Sequence, residues 1–272
     1  TTGTERVNYY FTTTSNHLDE AMEFMRDAVM TPRFDPDELD RERRVVIGEI
    51  DRAEGSAFFQ FGQELDGRLW YLHPSRKDPL GSRDTINGAT ADMLRTIQRR
   101  YYVPNNAVLV VTGDVEAQKI FDGADALYAD WKRTEDPFKT YPLVTHPPLK
   151  SVEVVAMVDE RAPAFVAQVS WHGPSLRDDE LGATYAADGF ATIIAEASSG
   201  FQQRLVDSGK CLQATFGWLT QRNTGPINLS FAASPDKAEV CTRAVFAELE
   251  AMRQPNYVRR RNLLDAAHRL RI

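Results

Sequence analysis

Apolar and polar positions along this chain change period repeatedly, and the changes predict alternating strands and helices through its first half. Arg6-Val-Asn-Tyr-Tyr-Phe-Thr12 is rich in β-formers, and Ser15-Asn16 can cap a helix over His17–Val29. Asp35-Pro36-Asp37-Glu38 is a sharper helix start. It has a capping Asp, a Pro at the first helical position where its missing N–H is harmless, and acids against the positive end of the helix dipole. That helix is predicted to reach Ala53, with Gly55 stopping it. Further helices are predicted over Ala57–Leu72, Thr90–Tyr101 and Val115–Trp131, with a strand at Ala107–Thr112.

Pro137, Pro142, Pro147 and Pro148 mark residues 136–149 as a linker. Residues 1–135 and 150–272 are then two domains. The second is predicted to hold strands at Val152–Val158, Ala164–Trp171, Gln213–Leu219 and Ile227–Ala233, and helices at Leu181–Ala197 and Gly200–Gly209. Asn8-Tyr-Tyr-Phe-Thr-Thr-Thr14 followed by a helix is similar to Asn228-Leu-Ser-Phe-Ala-Ala-Ser234 followed by a helix. In that frame Ala21 and Met25 fall opposite Cys241 and Val245. The similarity predicts two copies of one α+β unit in tandem, both incomplete.

Composition narrows the function classes. With 272 residues, 42% of them hydrophobic, the chain is globular and long enough for two domains. A net charge of −7 argues against a nucleic-acid partner, because a phosphate-backbone binder carries a basic footprint. Apolar runs such as Ala107-Val-Leu-Val-Val111 have strand length and are too short for a membrane span. Cys211 and Cys241 lie 30 residues apart without a CxxC pairing, which leaves one disulfide or two buried thiols, with free thiols the expectation. No phosphate-cradling glycine loop and no GxSxG elbow occur. Trp70, Trp131, Trp171 and Trp218 are expected as core or interface aromatics, and His172 at a strand end as a turn residue in preference to a ligand.

The helix opened by Asp35 holds the chemistry. On a helical wheel Leu39, Val46, Ile50 and Ala53 form its core stripe. Glu42 and Glu49, seven residues apart, stack two turns apart on one face at the edge of that stripe, separated by about 10 Å. A carboxylate at a core margin is costly to desolvate unless a cation or strong donors meet it. The spacing admits an ion or salt-bridge site, but taken alone it favours two helix-edge glutamates that pair with Arg or stay wet.

Glu42-Arg-Arg-Val-Val-Ile-Gly-Glu49-Ile closely resembles the segment of pitrilysin/insulinase-family zinc peptidases that supplies their third zinc ligand. Leu80-Gly81, the run Tyr101-Tyr-Val-Pro-Asn-Asn-Ala-Val-Leu-Val-Val-Thr-Gly-Asp114 and Phe201-Gln-Gln-Arg-Leu205 also look like recurring features of that family. By this resemblance Glu49 matches the metal ligand and Glu42 a supporting acid seven residues earlier. The implied fold is α+β, a tandem of two related domains, each a largely antiparallel sheet covered by helices. The family's two His ligands and general-base Glu come from an H-x-x-E-H helix. This chain has no such motif: His17, His73, His146, His172 and His268 are scattered, so the motif is expected upstream of Thr1.

The resemblance implies zinc as cofactor, with one ligand here and the others outside the chain. It also implies a zinc metalloendopeptidase, acting on peptides or unfolded segments by metal-assisted hydrolysis. The chemistry supplied by such a metal is acidification of a bound water and polarisation of the scissile carbonyl. With one ligand where a hydrolytic zinc usually has three, the chain alone is expected to be inactive. The alternative is a non-catalytic scaffold or substrate-binding subunit of the same family. A peptide is the implied partner, a homo- or heterodimer is compatible, and a periplasmic location is suggested by resemblance only. In the repeat frame Asn262 and Arg269 stand opposite the two glutamates, and Arg259-Arg-Arg261 makes that helix basic, so the second domain is expected to be the non-catalytic one.

Overall fold

A computed structural model describes every residue except 57, 74–77, 180, 259–261, 263 and 265–272. Helices α1 (Leu18–Met30), α2 (Pro36–Glu54), α3 (Phe59–Leu69), α4 (Arg83–Gly88), α5 (Ala91–Tyr101), α6 (Ala117–Leu127) and α7 (Pro137–Thr140) precede strand β1 (Phe165–His172). Then come α8 (Ala183–Ala195), α9 (Gly200–Gln202), β2 (Gln213–Trp218), β3 (Pro226–Ala233) and α10 (Ala238–Met252). Contacts gather these into two compact units, Thr1–Gly55 with Asp78–Val144, and Ser56–Lys77 with Thr145–Ile272.

In the first unit, local capping sets the helix starts. The Asp35 side chain accepts hydrogen bonds from the Asp37 and Glu38 amides at 2.9 and 3.2 Å, and Pro36 begins α2. Ser82 and Thr90 cap α4 and α5 in the same way. Met22 of α1 and Ile120 of α6 are buried, and Arg26 Nε donates to the Leu127 carbonyl at 3.0 Å, holding α1 to the end of α6. Trp131 Nε1 donates to the Tyr102 carbonyl at 3.2 Å.

Three predicted strands are not strands. Residues 6–12, 107–112 and 152–158 form no β-ladder among the described residues; near them only an isolated bridge, Thr2 with Val7, is made. Tyr10, Val108, Val152 and Val154 are exposed. Apolar, β-branched sequence favours extended backbone, but a strand also needs a neighbour for its N–H and C=O groups.

The expected linker is also structured. Asp136 caps α7, Pro137 is buried, and the Phe138 and Tyr141 rings sit 6.0 and 6.1 Å from that of Tyr101, so residues up to Val144 cluster with the first unit. Residues 56–77, expected in the first domain, cluster with the second unit, where α3 packs on β1. The helix predicted to start at 57 is observed over Phe59–Leu69; residue 57 itself lies outside the described residues.

The second unit holds an antiparallel sheet of order β1-β3-β2. Alternation along β3 explains its two faces. Leu229, Phe231 and Ala233 are buried, whereas Asn228 and Ser230 point the other way and join Gln168 and Ser170 of β1 in a polar ladder. The buried side meets Ile194 of α8, Phe201 of α9, Leu205, and Cys241 and Val245 of α10. Full burial of each such large apolar side chain contributes about 1.5–3 kcal/mol.

Cys211 and Cys241 form a disulfide across this core, in place of the expected free thiols. Sequence separation alone could not show that β2, β3 and α10 bring their Cα atoms to 5.0 Å.

The tandem repeat reappears in the element boundaries. Short 3₁₀ turns begin at Ser15 and Pro235, and the helices after them at Leu18 and Ala238, 220 positions apart in both cases. Met25 is half-buried where its counterpart Val245 is sealed. The basic run Arg259–Arg261, together with His268 and Arg269, lies outside the described residues.

Candidate functional site

Helix α2 carries both candidate carboxylates. Ile50 is its buried anchor, 3% exposed, while Glu42 and Glu49 are exposed on a shared face. Ile50 follows Glu49, and Arg43 follows Glu42, so both anchors lie about 100° round the helix from the acid face. Neither glutamate makes a hydrogen bond or ion pair with any described residue. The expectation that they lie at the edge of an apolar stripe therefore resolves into solvent-facing acids beside a half-buried Val46 and Ala53.

The other side of α2 is clamped. Arg43 donates from Nε to the Ile86 carbonyl at 3.2 Å and from Nη2 to the Ala89 carbonyl at 2.7 Å, and it pairs with Asp40 through Nη1. From α4, Arg83 reaches back to Asp51 at 2.6 Å and to Glu54 at 2.5 Å. Hydrogen bonds from Arg83 to Glu54 and then to Asp51 raise the guanidinium pKa further, so it stays charged. Asp51 and Glu54 lie about 120–180° from Glu42 on the wheel, so α4 grips α2 from behind the acid face. Sequence reading missed both arginines in this role. Arg83 sits 29 and 32 residues from its partners, and no local pattern announces such a pair.

Histidines presumed scattered are partly gathered. In the second unit His172 stacks on Trp70 (ring centroids 4.6 Å apart, planes within 10°), and its Nε2 lies 2.7 Å from the Leu69 carbonyl oxygen. The His146 ring is 4.7 Å from Trp70 and 6.1 Å from His73. His172, expected at a strand end, is the last residue of β1 and packs on the end of α3. Among the described residues no three His, Cys, Asp or Glu side chains converge in a way that could hold a metal. The described residues therefore do not make up a complete zinc site, since Glu42 and Glu49 offer carboxylates with no further described ligand beside them.

Two family models match the chain: the insulinase (peptidase family M16) domain over residues 1–60, and the peptidase M16 inactive domain over residues 88–259. The zinc protease PqqE of Helicobacter pylori is 23% identical over 252 residues, covering 91% of this chain and 56% of that protein. A solved protease from Helicobacter pylori superposes with a TM-score of 0.81 at 20% identity, over 95% of this chain and 63% of that one. The first half of the periplasmic protease PqqL from Escherichia coli superposes with a TM-score of 0.69 at 19% identity, over 95% and 56%. The chain spans about half the length of the curated relatives it matches. With a matched domain covering more than half its residues, this chain belongs to the M16 (insulinase) family of peptidases.

Proposed function

We propose that this chain is part of a zinc-dependent endopeptidase that hydrolyses peptide bonds in peptides or unfolded segments. Glu49 is one metal ligand, and Glu42 supports the ligand set electrostatically from one face and two turns away. The observation that carries this is the pair of exposed carboxylates on a helix whose opposite side is fixed by Arg43 and Arg83. A fixed helix presents its acids in a defined direction, as a ligand must be presented. The remaining ligands and the general base come from outside these 272 residues, so the chain alone neither holds zinc firmly nor cleaves peptides. The second unit is the non-catalytic half that helps enclose an extended peptide. Periplasmic location is supported by the likeness to PqqL and by the disulfide, which persists in oxidising compartments.

A second reading, a non-catalytic scaffold or substrate-binding subunit, is favoured by the match of residues 88–259 to a domain described as inactive. Zinc content of the whole protein separates the two. Glu49→Gln is expected to strip most of the metal, and Glu42→Gln to weaken its binding by about 10–100-fold. Unchanged stoichiometry in Glu49→Gln removes Glu49 from the site. A whole protein that binds no zinc at all leaves the scaffold reading.

A further inference from the structure

Helix α5 carries two exposed arginines in its last turn, Arg99 and Arg100, and both line a cavity of about 400 Å³ in the first unit. The rest of the wall comes from Thr96 and from residues 134–141. That second segment is fixed in place. The Thr134 amide donates to Asn105 Oδ1 at 3.1 Å, Asp136 caps α7, and the Tyr141 ring lies 6.1 Å from that of Tyr101.

Each guanidinium is held by a neutral neighbour. Arg99 Nη2 donates to Thr96 Oγ1 at 3.2 Å, and the Arg100 guanidinium lies over the Tyr141 ring, 4.4 Å from its centroid. Neither makes an ion pair with any described residue. Nearby acids are engaged elsewhere: Asp92, one turn before Thr96, pairs with Arg95 at 2.9 Å, and Asp136 accepts from the Phe138 amide at 2.9 Å. Glu135 does line the cavity, and its Oε2 accepts from the Thr140 hydroxyl at 3.3 Å. Two cations and one acid leave the lining with one positive charge in excess. The helix dipole accounts for basic residues in a last turn, but not for Arg100 being held against a ring from another segment in a cavity wall.

We propose that this cavity binds the C-terminal residue of a peptide, with its carboxylate on Arg99 and Arg100. An arginine fork matches the two oxygens of a carboxylate. One carboxylate neutralises the excess charge, whereas a doubly charged phosphate overshoots it and is repelled by Glu135. The amide N–H beside a chain-end carboxylate gives Glu135 a donor to accept from, and an acidic side chain carries no N–H at that spacing. The Tyr141 ring and buried Pro137 offer apolar surface to the last side chain. The site needs no metal, so it stands or falls apart from the assignment of Glu49.

The test is calorimetric titration of the 272-residue chain, with EDTA present, by an acetylated alanine pentapeptide. The peptide is supplied as the free acid, as the C-terminal amide, and as the amide with one internal aspartate, and inorganic phosphate is the fourth probe. The free acid should bind about tenfold more tightly than either amide or phosphate. Arg99→Gln with Arg100→Gln should bring the acid down to the level of the amide. Arg99→Lys with Arg100→Lys keeps the charge without the forks and should fall between, with the melting temperature of both double variants unchanged because the two side chains are exposed. Equal binding of acid and amide, affinity that survives loss of both arginines, or no binding of the acid at millimolar concentrations would overturn the proposal. Phosphate or the aspartate-bearing amide matching the free acid would show a general oxyanion site and overturn the assignment to a chain end.

Discussion

Arg204 holds the carboxylate of Glu248 through two of its nitrogens, Nε at 2.8 Å and Nη2 on the second oxygen, joining the turn after α9 to α10. The pair is lopsided. The Arg204 side chain is 52% exposed, whereas that of Glu248 is 5% exposed and also accepts a hydrogen bond from the Tyr257 hydroxyl at 2.5 Å. Removing the two partners should therefore cost different amounts. Arg204→Ala leaves a buried carboxylate with Tyr257 as its main donor, which costs about 3 kcal/mol. Glu248→Gln leaves an arginine that water can solvate and costs about 1–2 kcal/mol. Hydrogen exchange of α10 amides reads the difference, and equal losses would show that solvent already reaches the acid.

The same site predicts acid sensitivity of the second unit. Burial alone pushes the Glu248 carboxyl up, but the hydrogen bonds from Arg204 and Tyr257 outweigh it and hold the group below its ordinary value of 4.5. Asp159, bonded by Arg161, is lowered to about 2, and Asp179, bonded mainly by Thr184, is lowered as well. A depressed carboxylate contributes stability above its unfolded pKa, and the contribution is lost as pH falls through the folded value. Melting temperature should hence be flat from about pH 7 to 5.5 and fall below about pH 4.5. Glu248→Gln should make that fall shallower. A decline that starts above pH 6 would point to histidine titration instead.

Gly173 has no room for a side chain. A methyl group there would lie 1.9 Å from Trp218 Cζ3 and 2.8 Å from two further ring atoms, while the Gly173 amide is bonded to the Gly225 carbonyl at 2.7 Å. The ring is a rigid obstacle and the backbone is pinned, so Gly173→Ala should destabilise the second unit by about 2–3 kcal/mol. Adding Trp218→Leu should recover part of the loss. A double variant no more stable than Gly173→Ala would locate the strain elsewhere.

Features that depend on neighbouring residues are legible in the amino-acid sequence. Asp35 and Pro36 fix the start of α2 because a cap depends on contacts within a few positions, and alternation marks which face of β3 is buried. The Glu42/Glu49 face is legible for the same reason, since helical periodicity is local, and the repeat is legible because two segments of similar sequence each precede a helix. Pairings between distant segments are not. Val108 and Val152 have strand-like sequence without a ladder, and Cys211 meets Cys241 only because β3 and α10 fold back over β2. The gathering of His146 and His172 on Trp70 and the reach of Arg83 to Glu54 are likewise tertiary. The acid face can be read from the chain, but the grip behind it cannot.

That grip yields a prediction for Arg43. Its guanidinium serves two carbonyls, Ile86 and Ala89, at either end of the turn that closes α4, while remaining only 24% exposed. Lysine keeps the charge but cannot span both oxygens with a planar fork. Arg43→Lys should then cost about 1–2 kcal/mol, as loss of one charge-assisted hydrogen bond does. The loss should appear as faster hydrogen exchange in residues 83–89, with α2 amides near Ile50 unchanged. Arg83→Ala loosens the same contact from the other side, so the double variant should fall short of the summed single losses. Full additivity would mean that the two arginines hold α4 independently and that α2 is not fixed as one clamped element.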